Sequence, residues 1–282
     1  DNLLNPDYIT EMNKTFSDGY QIITSYRNSK NYGDNWISAG YALWFLREAK
    51  FLNHARMLIG SSCAVSGTGF LFSREILKKS GGWKFFLLTE DIEFSVWNIV
   101  NGRKIAYCPS AVLYDEQPTS FKQSWRQRMR WAKGNIQVYL KYAANLATGM
   151  FRHPGAFSCF DMTMVLLPAV VLSIFGLVLN IVSITINFLC GVAILELLKS
   201  FGLMLLGAYI GLFAIALTTT ISEWKKIHTT TFRKILYSFT FPLFMATWVP
   251  IGLLALVCRV EWKPIEHKRA IALHSIQNRL SQ

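Results

Sequence analysis

Apolar residues change their spacing several times along this chain, and each change marks an expected element. Pro6 to Phe16 predicts a short helix, with Asp7 in its first turn and Gly19 past its end. Gln21 to Tyr26 is β-branched and aromatic and predicts a strand, and the polar, glycine-containing run Asn28 to Asn35 predicts a loop. From Trp36 to His54 helical spacing returns, with Trp36, Gly40, Leu43, Trp44 and Arg47 on one side. Cys63 to Gly69 leads into a strand at Phe70-Leu71-Phe72, and Ser73 to Lys79 predicts a short helix ended by Gly81-Gly82. A helix from Asp91 to about Val100 follows, with Thr89 or Glu90 near its cap and Gly102 as its stop. Lys104 to Cys108 predicts a strand, and Tyr114 to Ser120 a loop. The next helix, Phe121 to about Ala144, carries Phe121, Trp125, Met129 and Ala132 on one side. Lys122, Arg126, Arg130 and Lys133 lie toward another, the pattern of an interfacial helix. His153-Pro154-Gly155 breaks the chain after it.

Beyond that break the pattern becomes continuous. Residues 162–195, 200–222 and 235–258 contain no Asp, Glu, Lys or Arg. Each run reaches the ~20 residues a helix needs to cross a hydrocarbon core. Three spans are expected, at about 162–190, 201–222 and 235–257, within a membrane region 161–258. The linker Glu223 to Lys234 holds five basic or imidazole side chains and is expected on the cytoplasmic side, with Gly191 to Ser200 outside. Pro242 and Pro250 leave the third segment open between a full crossing and a broken one. Asn180, Ser183, Thr185 and Asn187 either bond back to their own helix or line a channel. A basic tail, 259–282, closes the chain.

Charge and cysteines narrow the class. The net charge of +12 raises nucleic acid as a partner. The basic residues bunch beside the apolar runs, however: Gln117 to Arg152 holds seven and no acid. A juxtamembrane flank facing anionic headgroups accounts for that without nucleic acid. Five scattered cysteines make neither a zinc pattern nor a disulfide framework.

The chemistry gathers between Leu88 and Gly134. Thr89-Glu90-Asp91 sets a carboxylate at a helix start, where the exposed amides alone would stabilise it. It is also where a hydroxyl could lose its proton. Ser124 to Trp131 interleaves guanidiniums with two indoles, suited to a phosphate and a sugar ring. Ser66-Gly67-Thr68-Gly69 is either a plain tight turn or a place where backbone approaches a ligand. Together these point to sugar transfer from a nucleotide donor at a membrane face.

Thr89-Glu90-Asp91 followed by Gln127-x-x-Arg130-Trp131 resembles the signature pair of processive, inverting family 2 glycosyltransferases, the synthases of cellulose, chitin, hyaluronan and poly-N-acetylglucosamine. The resemblance covers most of residues 1–152. It implies an α/β GT-A catalytic domain (1–120), an interfacial region (121–160) and a transmembrane domain. It implies Asp91 as the base, with Glu90 orienting it or meeting the acceptor. Gln127, Arg130 and Arg128 would hold the donor diphosphate. Trp131, Thr89 and the loop Ser66, Gly67, Thr68, Gly69 would contact the acceptor, and Glu116-x-Pro118 would shape the site floor. Asp1-Asn2 looks like the end of the family's Asp-x-Asp motif, so Asp1 would ligate Mg2+ or Mn2+. The nucleotide-binding units would then lie upstream, and residues 1–282 alone are expected to be inactive.

The partners implied are a UDP-sugar, with UDP-N-acetylglucosamine favoured, a polysaccharide acceptor and a lipid bilayer, with no nucleic acid. The location implied is the plasma membrane, multi-pass, with the catalytic domain in the cytoplasm. A non-processive transferase adding one sugar to a lipid or short acceptor is the alternative. A non-catalytic transport protein is more remote, because the apolar runs hold no ionisable residue.

Overall fold

The computed structural model describes residues 2–151, 155–262 and 273. The N-terminal half is built on a sheet. Strand β1 (Leu3–Leu4) and helix α1 (Tyr8–Ser17) lead into β2 (Ile22–Ser29), a strand buried at every position except Arg27. Helix α2 (Trp36–Arg47) follows, started by Asn35, whose side chain accepts from the amides of Ile37 and Ser38. The helical run expected to reach His54 changes pitch on the way. A π-helical turn, Glu48–Asn53, separates α2 from α3 (His54–Leu58). Then come β3 (Phe70–Phe72), α4 (Arg74–Lys79), α5 (Glu90–Val100) and β4 (Ala106–Asp115).

The strands lie in the order β1-β4-β2-β3, with β2 parallel to β4 and the outer pairs antiparallel. The α/β class expected of this half is therefore present. Strand β4 runs well past the expected Cys108. Its register against β2 slips after Ser25↔Cys108 and resumes at Tyr26↔Val112. Pro109 falls in that gap, where a residue without an amide hydrogen is tolerated.

The second half is helical: α6 (Phe121–Gly149), α7 (Ala156–Leu166), α8 (Pro168–Leu189), α9 (Ile194–Ser222), α10 (Thr231–Ala246) and α11 (Trp248–Val257). The first expected span is not one helix, for α7 ends at Leu166 and α8 begins at Pro168. Proline lacks the amide that would continue the ladder, and it fits a helix start. Helix α9 begins earlier than expected, so Glu196 and Lys199 sit in its first turns as a pair 2.7 Å apart. Among the described residues two helical stretches, Ile194–Ser222 and Thr231–Val257, are long and apolar enough to cross a membrane, the second broken at Thr247. On α8, Asn180, Thr185 and Asn187 donate to the carbonyls of Gly176, Ile181 and Ser183 of their own helix.

The two halves share one core. Ile22, Tyr26, Tyr41 and Phe94 cluster with Ala216, Ile227, Tyr237, Phe241 and Phe244. Gly40 allows this contact, since a Cβ there would stand 2.4 Å from the Phe244 ring. Helix α2 is thus covered by the sheet on one side and α10 on the other, which explains its nearly complete burial.

Polar contacts add to the docking. The linker after α9 folds against β2: Tyr26 donates to the buried Glu223 at 2.5 Å, and Asn28 donates to the Lys226 carbonyl at 3.0 Å. Arg233 donates to the Gly33 carbonyl at 3.1 Å. That linker is on the same side as the sheet.

Candidate active site

The start of α5 is fixed by two side chains that the sequence reading did not single out. Glu93 is fully buried, and its carboxylate accepts from the amides of Phe86 and Leu87 at 3.0 and 3.1 Å and from Lys141 at 2.5 Å. Those bonds hold the segment leading to Thr89 and clip it to α6. Ser95 accepts from the Val65 amide at 2.9 Å and donates to the Asp91 carbonyl at 2.9 Å. It joins α5 to the segment carrying the Ser66–Gly69 loop.

That loop stands against Asp91. Gly67 has φ +74, and a Cβ built on it would lie 3.4 Å from Asp91 Oδ2. Gly69, at φ +62, has no room for a side chain, as a Cβ would stand 1.8 Å from Leu113 and 2.4 Å from Ser25 Oγ. Both glycines are required, one for close approach and one for packing. Asn2 donates to the Thr68 hydroxyl, which brings the chain next to Asp1 against the same loop. Asp1 itself lies outside the described residues.

The Asp91 carboxyl is half-buried at the helix start. Burial pushes it up to about 6. The Ile92 amide pulls it down, the neighbouring Glu90 raises it, and the Arg130 guanidinium lowers it. Glu90 is exposed. A carboxyl near 6 is a stronger base than an ordinary one and is still ionised at neutral pH.

Helix α6 closes the site from the other side. Gln127, Arg130, Trp131 and Gly134 fall at positions i, i+3, i+4 and i+7, which share one helix face. Gly134 lies on Thr89: a Cβ there would be 2.6 Å from Thr89 Oγ1 and Cγ2 and 2.9 Å from its amide nitrogen. Arg130 donates to the Leu88 carbonyl at 2.7 Å. Gln127 Oε1 is buried and has no hydrogen-bond partner among the described residues. A cavity of about 380 Å³ opens between this part of α6 and residues 258–261, lined by Arg126, Gln127, Arg130 and Arg259 among others. Trp131 is part-buried, with its ring edge-on to Tyr41 at 5.7 Å and Phe45 at 6.1 Å.

Two expected site residues are elsewhere. Arg128 follows Gln127 by about 100° of helix turn, which puts it on the back of α6 with Ser124 and Ala132. It is 1% exposed and donates to the Phe244 carbonyl at 3.2 Å and Thr247 Oγ1 at 2.6 Å, with its guanidinium 4.4 Å from the Phe244 ring. Arg128 therefore clamps α6 to the α10–α11 bend and does not reach a diphosphate in the cleft. Thr89 is 3% exposed, covered by Gly134, so its side chain does not reach an acceptor. At the site floor, Glu116 pairs with the buried Lys30 at 3.2 Å.

Arg128→Ala is expected to lower stability by about 2–4 kcal/mol through the loss of buried, charge-assisted bonds. The donor KM should stay within about twofold, because Arg128 makes no cleft contact. Arg130→Ala should raise that KM about tenfold or more. Denaturation midpoints and donor titrations of the two variants check the contrast.

Among the described residues no group of three or more His, Cys, Asp or Glu side chains gathers, so these residues alone do not make a divalent-cation site.

Residues 1–134 match the family described as "Glycosyltransferase like family 2". A probable glycosyltransferase, YdaM, of Bacillus subtilis strain 168 is 40% identical over 80 residues, 28% of this chain and 19% of the relative. A probable glycosyltransferase of Sulfolobus acidocaldarius is 38% identical over 80 residues, 27% of this chain and 17% of the relative. A poly-beta-1,6-N-acetyl-D-glucosamine synthase of Staphylococcus aureus strain COL is 32% identical over 91 residues, 32% of this chain and 22% of the relative. The matched segments thus span about a fifth of the length of these relatives. The family match takes in Thr89-Glu90-Asp91, the Gly67 loop and α6 as far as Gly134, so residues 1–134 are similar to a family 2 glycosyltransferase domain.

Proposed function

We propose that this protein is a membrane-embedded, inverting glycosyltransferase that adds N-acetylglucosamine from UDP-N-acetylglucosamine to a growing β-linked polysaccharide. The observation that carries the reading is the meeting of Asp91, the Gly67 loop and the Arg130–Gly134 face of α6 at one helix start. Asp91 takes the proton of an acceptor hydroxyl as that oxygen attacks the anomeric carbon from the face opposite the departing diphosphate. The bond from the anomeric carbon to the diphosphate oxygen breaks, and UDP leaves with the electron pair. Arg130 and Gln127 stand where charge develops on the diphosphate, and hydrogen bonds to it that strengthen in the transition state lower the barrier. The Ser66–Gly69 backbone and Trp131 form the acceptor side.

The choice of sugar rests on the synthase of Staphylococcus aureus among the relatives. The bilayer rests on α8 and α9, most of whose described side chains are solvent-facing and apolar. Water is a poor partner for such a surface and hydrocarbon a good one. The basic linker after α9 supports a cytoplasmic catalytic side.

Membranes holding the full-length protein, given a panel of radiolabelled UDP-sugars, test this. Incorporation from UDP-N-acetylglucosamine into a long product is expected. Incorporation from a different donor would overturn the sugar, and a one-sugar product would move the enzyme to the non-processive class.

A further inference from the structure

Arg27 is the one position of β2 that is not buried outright, and it is a charge in one of the two inner strands of the sheet. Its guanidinium is engaged on four sides. Nε donates to Asp115 Oδ2 at 3.0 Å, and Nη2 donates to the same oxygen. Nη1 donates to the Ser66 carbonyl at 3.0 Å. The plane lies 3.7 Å from the Phe45 ring centre. Asp115 is held in turn by Gln117, whose Nε2 donates to it at 3.4 Å.

The Ser66 carbonyl is the bond that matters. It also accepts from the Thr68 amide at 2.9 Å, closing the tight turn whose tip is Gly67. The far end of the loop is fastened to the same strand, where the Ser25 amide donates to the Gly69 carbonyl at 3.0 Å. Gly67 thus hangs between two anchors on β2 and faces Asp91 Oδ2. Remove the Arg27 anchor and the Ser66 carbonyl keeps only the bond of its own turn, with the chain next held one residue back, where the Val65 amide donates to Ser95.

We propose that Arg27, fixed by Asp115, is a positioning residue that sets the Ser66–Gly69 loop at its distance from Asp91. It thereby sets the approach of the acceptor hydroxyl to the base. A guanidinium suits this task because its rigid fork serves a carboxylate and a carbonyl at once. A lysine ammonium, compact and on a flexible stem, keeps the charge beside Asp115 but loses the fixed reach to Ser66. The inference rests on the reading of Asp91 as the base. It predicts that acceptor use and loop order fail together while donor handling survives.

The test uses the full-length protein in native membranes, comparing wild type, Arg27→Lys, Asp115→Asn and the double variant. Transfer to acceptor and hydrolysis of the UDP-sugar by water are both measured. Arg27→Lys should lower kcat for transfer about 30-fold or more, the scale of a misplaced reacting group, with hydrolysis and donor KM within about threefold. Asp115→Asn should show the same split, and the double variant should be no worse than the poorer single one, because the two act as a unit.

Loop order is read separately, as the rate at which a maleimide labels a cysteine introduced by Thr68→Cys, followed peptide by peptide. That rate should rise about tenfold in the Arg27→Lys background as the loop opens locally. An unchanged labelling rate, or transfer and hydrolysis falling equally, would overturn the proposal. If the wild type transferred from no UDP-sugar, the reading of Asp91 would fail, while labelling would still decide whether Arg27 holds the loop.

Discussion

Asp91→Asn in the full-length enzyme is expected to lower transfer by about three orders of magnitude, within the range lost when a general base is removed. Donor binding should survive, since Arg130 and Gln127 remain. The amide is close to the carboxylate in shape, so loss of proton abstraction is the main change. The pH profile carries the same information. As the proposed base Asp91 must be ionised, and burial pushes its carboxyl up to about 6, so transfer should rise with pH through about 6 and then level off.

Stability should move the opposite way. The folded value lies above the ordinary 3.8, so the fold disfavours the charged form. The stability associated with a neutral Asp91 is fully present below pH 3.8 and is lost as pH rises through about 6. At neutral pH the ionised group costs about 3 kcal/mol at 1.36 kcal/mol per tenfold change. Asp91→Asn removes that cost, and the inactive variant should melt higher than the wild type at pH 7 but not at pH 4. Transfer at an appreciable fraction of the wild-type rate would put the base elsewhere, and an unchanged melting temperature at pH 7 would mean Asp91 is not strained.

Gly134→Ala should be nearly as damaging, although alanine favours helix by ~1 kcal/mol over glycine. The added methyl would stand 2.9 Å from the Thr89 amide nitrogen, a backbone atom two residues before Asp91. Relief requires α6 and the start of α5 to move apart, taking Arg130 and Asp91 with them. A shift of this kind near reacting groups costs about 100-fold in rate. The melting temperature should fall less, since either helix can pack slightly farther away. Thr89→Ala in the same chain removes two of the three clashing atoms and should return part of the activity. Wild-type kcat in Gly134→Ala would show that the two motifs need not touch.

The parts of the site that could be read in the sequence are those where spacing fixes geometry. Gln127-x-x-Arg130-Trp131 places three side chains on one helix face whatever surrounds it, and Gly67 and Gly69 announce a backbone that must come close. Arg128 cannot be told from its neighbours, because a run of basic residues looks alike in sequence. Its partners, Phe244 and Thr247, are more than a hundred residues away, and nothing local signals them. Glu93 and Ser95 were passed over for a related reason: next to Asp91 they read as two more polar residues of a first turn. Arg27 has no motif at all, and only the pairing of β2 with β4 brings it to Asp115 and Ser66. Strand β4 was cut short at Cys108 because a proline within an apolar run reads as an end. The register slip shows how the strand passes it. The first apolar run was read as one helix because it lacks charge, while a proline within it divides the helix without adding any.

The core shared between the sheet and the later helices has a consequence for how this protein can be handled and how it can evolve. Tyr41 and Ile22 lie against Phe241, Phe244 and Ala216, so cutting the chain after α6 would strip the catalytic half of one wall and leave its largest apolar cluster facing solvent. A soluble, tag-and-purify version of the catalytic half should aggregate. Grafting it onto the helices of a different protein should fail unless α2 and α10 are exchanged as a pair. The sheet-based half is thus not a portable module, and the helices that follow it double as part of its own interior.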